Sequence, residues 1–339
     1  MKRPTVARTL TLAVVIVVGM GRSTFSAQGA AYPLQLPFGL SEQFAYIPAD
    51  NPLTREKIAF GKQLFWDKRW SRSGTVACVS CHQPDHGWSD PQQFSLDFAG
   101  QRTAHHAPTI INRLFSVQQY WTGHRASIED QTFQEREQTP ALVVQTLGAV
   151  PAYQAQFRHI FATDLHAQGV AKAIAAYVRM ILSGNSPYDR FRAGDTTALS
   201  PAAQRGLALF EGQARCVRCH SGFNFTDEEY HNIGIGMDTE QPDLGRYTVT
   251  QDEADKGGFK TPTLRDVARR GPYMHDGSLK TLEEVVDYYA TGGIANPWLS
   301  PKSQPLHLTA HERADLIAFL YALTGEVAPE VRSPPQLPP

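Results

Sequence analysis

The sequence predicts a mainly α-helical fold in two related halves, on three observations. Every cysteine of the 339-residue chain lies in one of two short strings, CVSCH at Cys78 to His82 and CVRCH at Cys216 to His220. Residues before the two strings resemble one another, and those after them match at one fixed offset. Elsewhere apolar residues recur at helical spacing, and alternating β-branched runs are scarce.

Each string is Cys-x-x-Cys-His, the attachment pattern of c-type haem. Cys78 with Cys81, and Cys216 with Cys219, would add across the haem vinyl groups, leaving His82 and His220 as axial iron ligands. Zinc is the alternative, because paired Cys-x-x-Cys strings also build zinc ribbons. Here, however, Cys78 and Cys216 stand 138 positions apart, and both pairs carry the trailing histidine. A disulfide framework is the other alternative, and four cysteines are few for so long a chain. The strings therefore predict two covalently held haem c groups.

The offset gives the halves. Gly61-Lys62-Gln63-Leu64-Phe65 precedes the first string, in a helical pattern opened by Thr54, and Gly206-Leu207-Ala208-Leu209-Phe210 precedes the second. The latter follows Ser200-Pro201, a good N-cap and first-turn pair. Beyond the strings the match holds at 154 residues without a gap: Pro108-Thr109-Ile110 with Pro262-Thr263-Leu264, Gly123 with Gly277, Ile128-Glu129-Asp130 with Leu282-Glu283-Glu284. Between Ala141 and Phe191, Val143, Val144, Leu147 and Val150, then Ile174, Tyr177, Val178 and Ile181, keep helical spacing, and Ser183 to Pro187 form a turn cluster. The expected architecture is two cytochrome c-like haem domains related by internal duplication, residues 32–190 and 191–327, meeting near residue 190. The segment 328–339 is proline-rich, without apolar periodicity, and is expected to be a loose end.

Residues 1–31 read as a secretory signal: Lys2, Arg3 and Arg8, an apolar run from Leu10 to Met20 broken by Thr11 and Gly19, then small residues with cleavage between about Ser26 and Ala31. An uncleaved anchor is the alternative. No later stretch is apolar enough to span a membrane, so the mature chain is expected in the periplasm, where covalent haem attachment takes place. Loss of Lys2, Arg3, Arg8 and Arg22 takes four from 32 basic residues against 33 acidic ones, a net charge of −5 that argues against nucleic acid.

Four further strings carry a resemblance: HHAPTIIN from His105, YWTGHRASIEDQ from Tyr120, NSPYDRF from Asn185, and FKTPTLRDVARRGPYMHDGSLKTLEEVV from Phe259. With two CxxCH strings in order, the chain resembles the bacterial di-haem cytochrome c peroxidases, and their MauG-like subgroup, over about residues 40–325. The resemblance implies that the His82 haem reacts with hydrogen peroxide and that the His220 haem receives and stores electrons. Trp121 matches the tryptophan between the two haems, an electron relay. Core packing is its plainer role.

The sixth iron positions set the chemistry the resemblance implies. Where many such peroxidases cap the first iron with histidine, this chain has Phe98, so an open five-coordinate haem is expected, with His86, His105 and His106 as other residues able to reach it. At the second iron the usual methionine position falls on Tyr289, as in MauG-like proteins, with Met274 and Tyr288 as alternatives. A hard phenolate favours oxidised iron, whereas a soft thioether favours the ferrous form. Of the distal glutamine, proline and glutamate, Gln131 fits the first. Glu135 stands at the proline position, and the glutamate position falls near Ala141 or Leu142. Glu135 is expected to take over the acid–base role, its plainer reading being a solvated charge. A calcium ion would be held by the carbonyls of Arg270 and Pro272, but its asparagine ligand is replaced by His106, a poor partner for an oxygen-seeking cation.

The leading expectation is therefore a peroxidase fed by a small cytochrome c or cupredoxin. The alternative is a MauG-like oxidase that matures a cofactor on a partner protein. That subgroup's surface tryptophan, two residues before the second CxxCH, is Ala214 here. A non-catalytic di-haem electron carrier and a haem-based sensor are the competing classes.

Overall fold

The structure is a computed structural model, and it describes residues 30–71, 73–97, 99–133 and 139–339. The expected leader, Phe98 and Glu135 lie outside the described residues. The described chain is mainly helical, and its one sheet is a two-residue antiparallel pairing of Tyr230–His231 with Phe259–Lys260. No helix among the described residues is long and apolar enough to cross a membrane.

Each half is organised by a crossed helix pair. Thr54 caps helix Arg55–Trp66 by accepting from the Lys57 amide at 3.2 Å. This helix crosses helix Ala167–Val178 so closely that a Cβ on Gly61 would lie 1.8 Å from the Ala173 carbonyl oxygen. In the second half Ser200 caps helix Pro201–Glu211, with Pro201 in its first turn where no amide donor is required. It crosses helix Ala310–Tyr321, and a Cβ on Gly206 would lie 1.9 Å from the Asp315 carbonyl oxygen. Only glycine lets backbones approach this far.

Around the first crossing pack Phe60, Leu64, Phe65, Trp88, Tyr153, Phe157, Ile174 and Tyr177. Around the second pack Leu207, Phe210, Phe225, Leu316, Phe319 and Leu323. The stretch read as helical contains helices Pro140–Gly148, Pro151–Phe161 and Ala167–Val178, and Pro187–Arg192 follows the turn cluster. Tyr188 and Phe191 of that last helix pack against the second core.

The loops after the two CxxCH strings share several backbone features at positions 154 residues apart. Asn112 and Asp266 are left-handed (φ 59° and 56°), as are Tyr120 and Met274 (75° and 74°) and Gly123 and Gly277 (65° and 62°). Isolated bridges join Gln119 to Arg125 and Tyr273 to Leu279. Ser127 caps helix Ile128–Gln131, and Thr281 caps helix Leu282–Thr291. Non-glycine residues with positive φ are uncommon, so the two non-glycine pairs reflect a shared tertiary demand on both loops.

The C-terminal segment differs from expectation. It is not a loose end: it returns to the first half, where Val327 and Val331 join the first core. Its backbone carbonyls accept from Tyr177 (to Val331, 2.9 Å), Gln63 (to Gln336, 3.2 Å) and Arg69 (to Pro338, 2.9 Å), and from Lys62 at Glu330. Proline lacks an amide donor but keeps its carbonyl, so a proline-rich strand can still be held from one side.

Candidate haem sites

Both Cys-x-x-Cys strings form one tight turn that brings the histidine back over its own cysteines. The His82 amide donates to the Cys78 carbonyl at 3.0 Å, and the His220 amide to that of Cys216 at 2.9 Å. Cys78 packs against the first core and Cys216 against the second, so the two pairs belong to separate sites. This is incompatible with one shared zinc. All four thiols are free of disulfides. Burial pushes Cys78 and Cys216 up to about 12, in the company of their partner cysteines.

The histidines are oriented from behind. His82 Nδ1 lies 3.3 Å from the Trp88 carbonyl, and His220 Nδ1 lies 3.1 Å from that of Phe225. A carbonyl can only accept, so Nδ1 carries the proton and Nε2 keeps its lone pair for a metal. Burial holds both imidazoles down to about 4, hence neutral at ordinary pH. Trp88 and Phe225 themselves adopt left-handed backbone (φ 58° and 51°), which turns each carbonyl toward its histidine.

Beside the second string lies about 1650 Å³ of space not filled by protein atoms, part of it open to solvent. Cys216, Cys219, His220, Met274, Val286, Leu320 and Tyr289 line it, and so do Ser89, His106 and Trp121 from the first half. The Tyr289 hydroxyl makes no hydrogen bond to any described residue, and burial raises its phenol above the ordinary tyrosine value. Tyr288 is committed elsewhere: its hydroxyl donates to the Ile233 carbonyl at 2.7 Å and accepts from the Ile294 amide at 3.2 Å. Trp121 is buried, its Nε1 donating to the His106 carbonyl at 2.7 Å, and its own carbonyl accepts from the Lys260 amide at 2.8 Å.

A haem c fits this donor set. Two free thiols and a neutral, oriented histidine sit on each turn, and at the second site an unbonded phenol shares the cavity. Sequence reading missed two features there. The orienting carbonyls lie six and five residues beyond His82 and His220, a spacing that no side chain announces. The Arg270 side chain also lines the cavity, its Nε buried without a hydrogen-bond partner. Asp227, His231 and Lys302 form a charged cluster next to Cys219, with contacts of 2.8 to 3.3 Å.

Other expected residues fall into place unevenly. Gln131 ends its short helix with its side-chain oxygen buried and unpartnered. His86 lies on the turn Pro84–His86, within the segment that holds His82 from behind. His105 Nε2 is bound to Asp243 at 2.6 Å. His106 is engaged at both ring nitrogens, by Ser89 Oγ at 3.0 Å and the Gln92 carbonyl at 3.1 Å. The calcium expectation is left to the carbonyls of Arg270 and Pro272, since none of the three matched side chains supplies an oxygen. The His106 side chain offers no oxygen and no free nitrogen, and the Arg270 guanidinium already buries a positive charge beside the same wall.

Comparison with known proteins agrees with this geometry. Residues 55–197 match the family model described as di-haem cytochrome c peroxidase. The chain is 41% identical over 301 residues to the methylamine utilization protein MauG of Methylorubrum extorquens, covering 86% of this chain and 84% of that one. It is 36% identical to the cytochrome-c peroxidase IdrP1 of Denitromonas iodatirespirans, over 98% and 96% of the two chains. A solved MauG-like protein associated with microbial copper homeostasis superposes with a TM-score of 0.83 at 31% identity, covering 90% of this chain and 99% of its own. The diheme peroxidase BthA from Burkholderia thailandensis shares the fold, with a TM-score of 0.71 at 19% identity over 85% of this chain and 92% of its own. With both CxxCH turns built as haem sites, the chain belongs to the di-haem cytochrome c peroxidase family of oxidoreductases, in which peroxidases and MauG proteins fall together.

Proposed function

We propose that this chain is an exported, periplasmic di-haem peroxidase that reduces hydrogen peroxide with electrons from a small redox protein. In this reading residues 1–31 are a removed leader, and residues 32–190 and 191–327 are duplicated cytochrome c-like units. The left-handed positions and bridges recurring 154 residues apart support the duplication. Cys78, Cys81, Cys216 and Cys219 would hold the two haems through thioether bonds, and His82 and His220 would bind their irons. When bound, the haems supply one-electron chemistry and the capacity to cleave the peroxide bond.

The protein's own residues do the rest. Trp121 couples the two sites: its ring lines the second cavity while its Nε1–H is anchored on His106 of the first half. That shared placement is the observation that carries the reading. Tyr289 would hold the second iron through its phenol oxygen, because it lines the cavity with no competing side-chain hydrogen bond while Tyr288 is tied to backbone. Phe98, whose side chain has no donor atom, would not hold the first iron. Gln131 orients peroxide, and Glu135 moves the proton between its oxygens.

A second version, in which a partner protein's side chains are the electron source, rests on the MauG relatives. One observation disfavours strict equivalence. Ala214 is 4% exposed and packs in the second core, so that position offers no aromatic exit to the surface. Absorption and EPR spectra of the ferric protein, before and after one equivalent of peroxide, test the enzyme reading. A high-spin signal that vanishes on addition is expected. Two low-spin haems indifferent to peroxide would instead leave an electron carrier.

A further inference from the structure

Three arginines are buried among the described residues, and two of them are matched. Arg265 forms a two-pronged pair with Asp189 at 2.8 and 2.9 Å, and Arg179 does the same with Glu129 at 2.7 and 3.0 Å. Arg270 is different. It is 7% exposed, its Nη2 donates to the Thr263 carbonyl, and its Nε has no partner at all. Among the described residues no carboxylate forms an ion pair with it; Asp266, the acid that bears on its charge, is engaged by Ser183 and Arg269. Burial lowers this guanidinium to about 10, which still leaves it fully charged at neutral pH.

An unpaired cation in a protein interior is costly unless an anion meets it. Arg270 lines the cavity that also holds Cys216, His220 and Tyr289, so the missing anion has a place to be. The position is at the seam of the halves: a Cβ on Gly87, in the loop behind His82, would lie 3.1 Å from the Arg270 Cβ. A planar fork of donors presented to an apolar-walled cavity suits a carboxylate.

We infer that Arg270 holds a propionate carboxylate of the haem bound at the second site, through its Nε–H and an outward-facing Nη. This rests on the reading of that cavity as a haem site.

Resonance Raman spectra of the ferric, haem-loaded protein test this directly, because the propionate deformation band reports hydrogen bonding to its carboxylate. Wild type, Arg270→Gln and Arg270→Lys are compared after alkaline pyridine haemochrome assay shows two haems per chain. The band is expected to shift to lower wavenumber in Arg270→Gln. Arg270→Lys, which keeps the charge but loses the fork, should shift less. Identical bands in all variants would overturn the assignment while leaving the haem reading intact. A wild-type chain without haem would overturn both. If Arg270→Gln fails to fold, the wild type against Arg270→Lys decides alone, a shift supporting and its absence refuting.

Discussion

The indole N–H of Trp121 is held 2.7 Å from the carbonyl oxygen of His106, and the His106 amide in turn donates to the His275 carbonyl at 2.8 Å. Trp121 is thereby fixed between the halves by backbone groups of both. Trp121→Phe keeps an aromatic ring but removes the anchor and the more oxidisable indole. The expectation is unchanged haem content with peroxidase turnover falling by about tenfold or more, equivalent to about 1.4 kcal/mol or more of transition-state stabilisation. Steady-state assays with a reduced cytochrome c, alongside haem quantification, would measure it. Unaltered turnover would leave Trp121 as packing.

Tyr289→Met replaces a hard oxygen with a soft thioether at the second site. The reduction potential of that haem is expected to rise, with no change at the other. Spectroelectrochemical titration reads both haems in one experiment. Equal potentials in the two proteins would remove Tyr289 from the iron.

Glu135→Gln removes a proton carrier while conserving size. The bimolecular rate of reaction with peroxide is expected to drop by about 10²-fold or more, the range of general acid–base contributions. Stopped-flow mixing gives the rate. A rate equal to wild type makes Glu135 a solvated surface charge.

Asp189 is buried against Arg265. Burial alone would raise its carboxyl, yet the guanidinium and the Ser186 hydrogen bonds hold it below the usual aspartate value. A carboxylate depressed in the folded state contributes stability above its unfolded pKa of about 4, and that contribution is lost as pH falls through the lower folded value. Asp189→Asn should cost about 3–5 kcal/mol at neutral pH, since Arg265 is left as an unpaired buried cation. Denaturant unfolding at pH 7 and below pH 4 checks both; the gap between wild type and variant should narrow in acid.

Gly206→Ala would set a methyl against the Asp315 carbonyl and force the helices of the second half apart. A loss of roughly 1–3 kcal/mol is expected from overpacking, more if the crossing cannot relax. Gly61→Ala should behave alike in the first half. Thermal unfolding of the haem-loaded variants measures each.

Much of this was legible in the sequence. The CxxCH strings pointed to the two turns in which a histidine returns over its own cysteines, because the pattern is local in the chain. The 154-residue matches pointed to positions that share left-handed backbone, Asn112 with Asp266 and Tyr120 with Met274. What stayed hidden is tertiary. Arg270 looked like the donor of a carbonyl because its motif is read along the chain, whereas its significance lies in which carboxylates are absent around its side chain. His106 looked like a residue able to reach a metal, and the structure spends both its ring nitrogens on Ser89 and Gln92. The segment after 327 lacked periodicity because it is held by its carbonyls, a mode of attachment that leaves no pattern in side chains.

That segment also ties the order of folding to the order of synthesis. Val327 and Val331 complete a core whose other members lie between Phe60 and Ile181. The half that is made first therefore has its core completed only when the far end of the chain docks on it. A nick or truncation beyond the second unit would be felt first around His82, the more distant of the two sites in sequence.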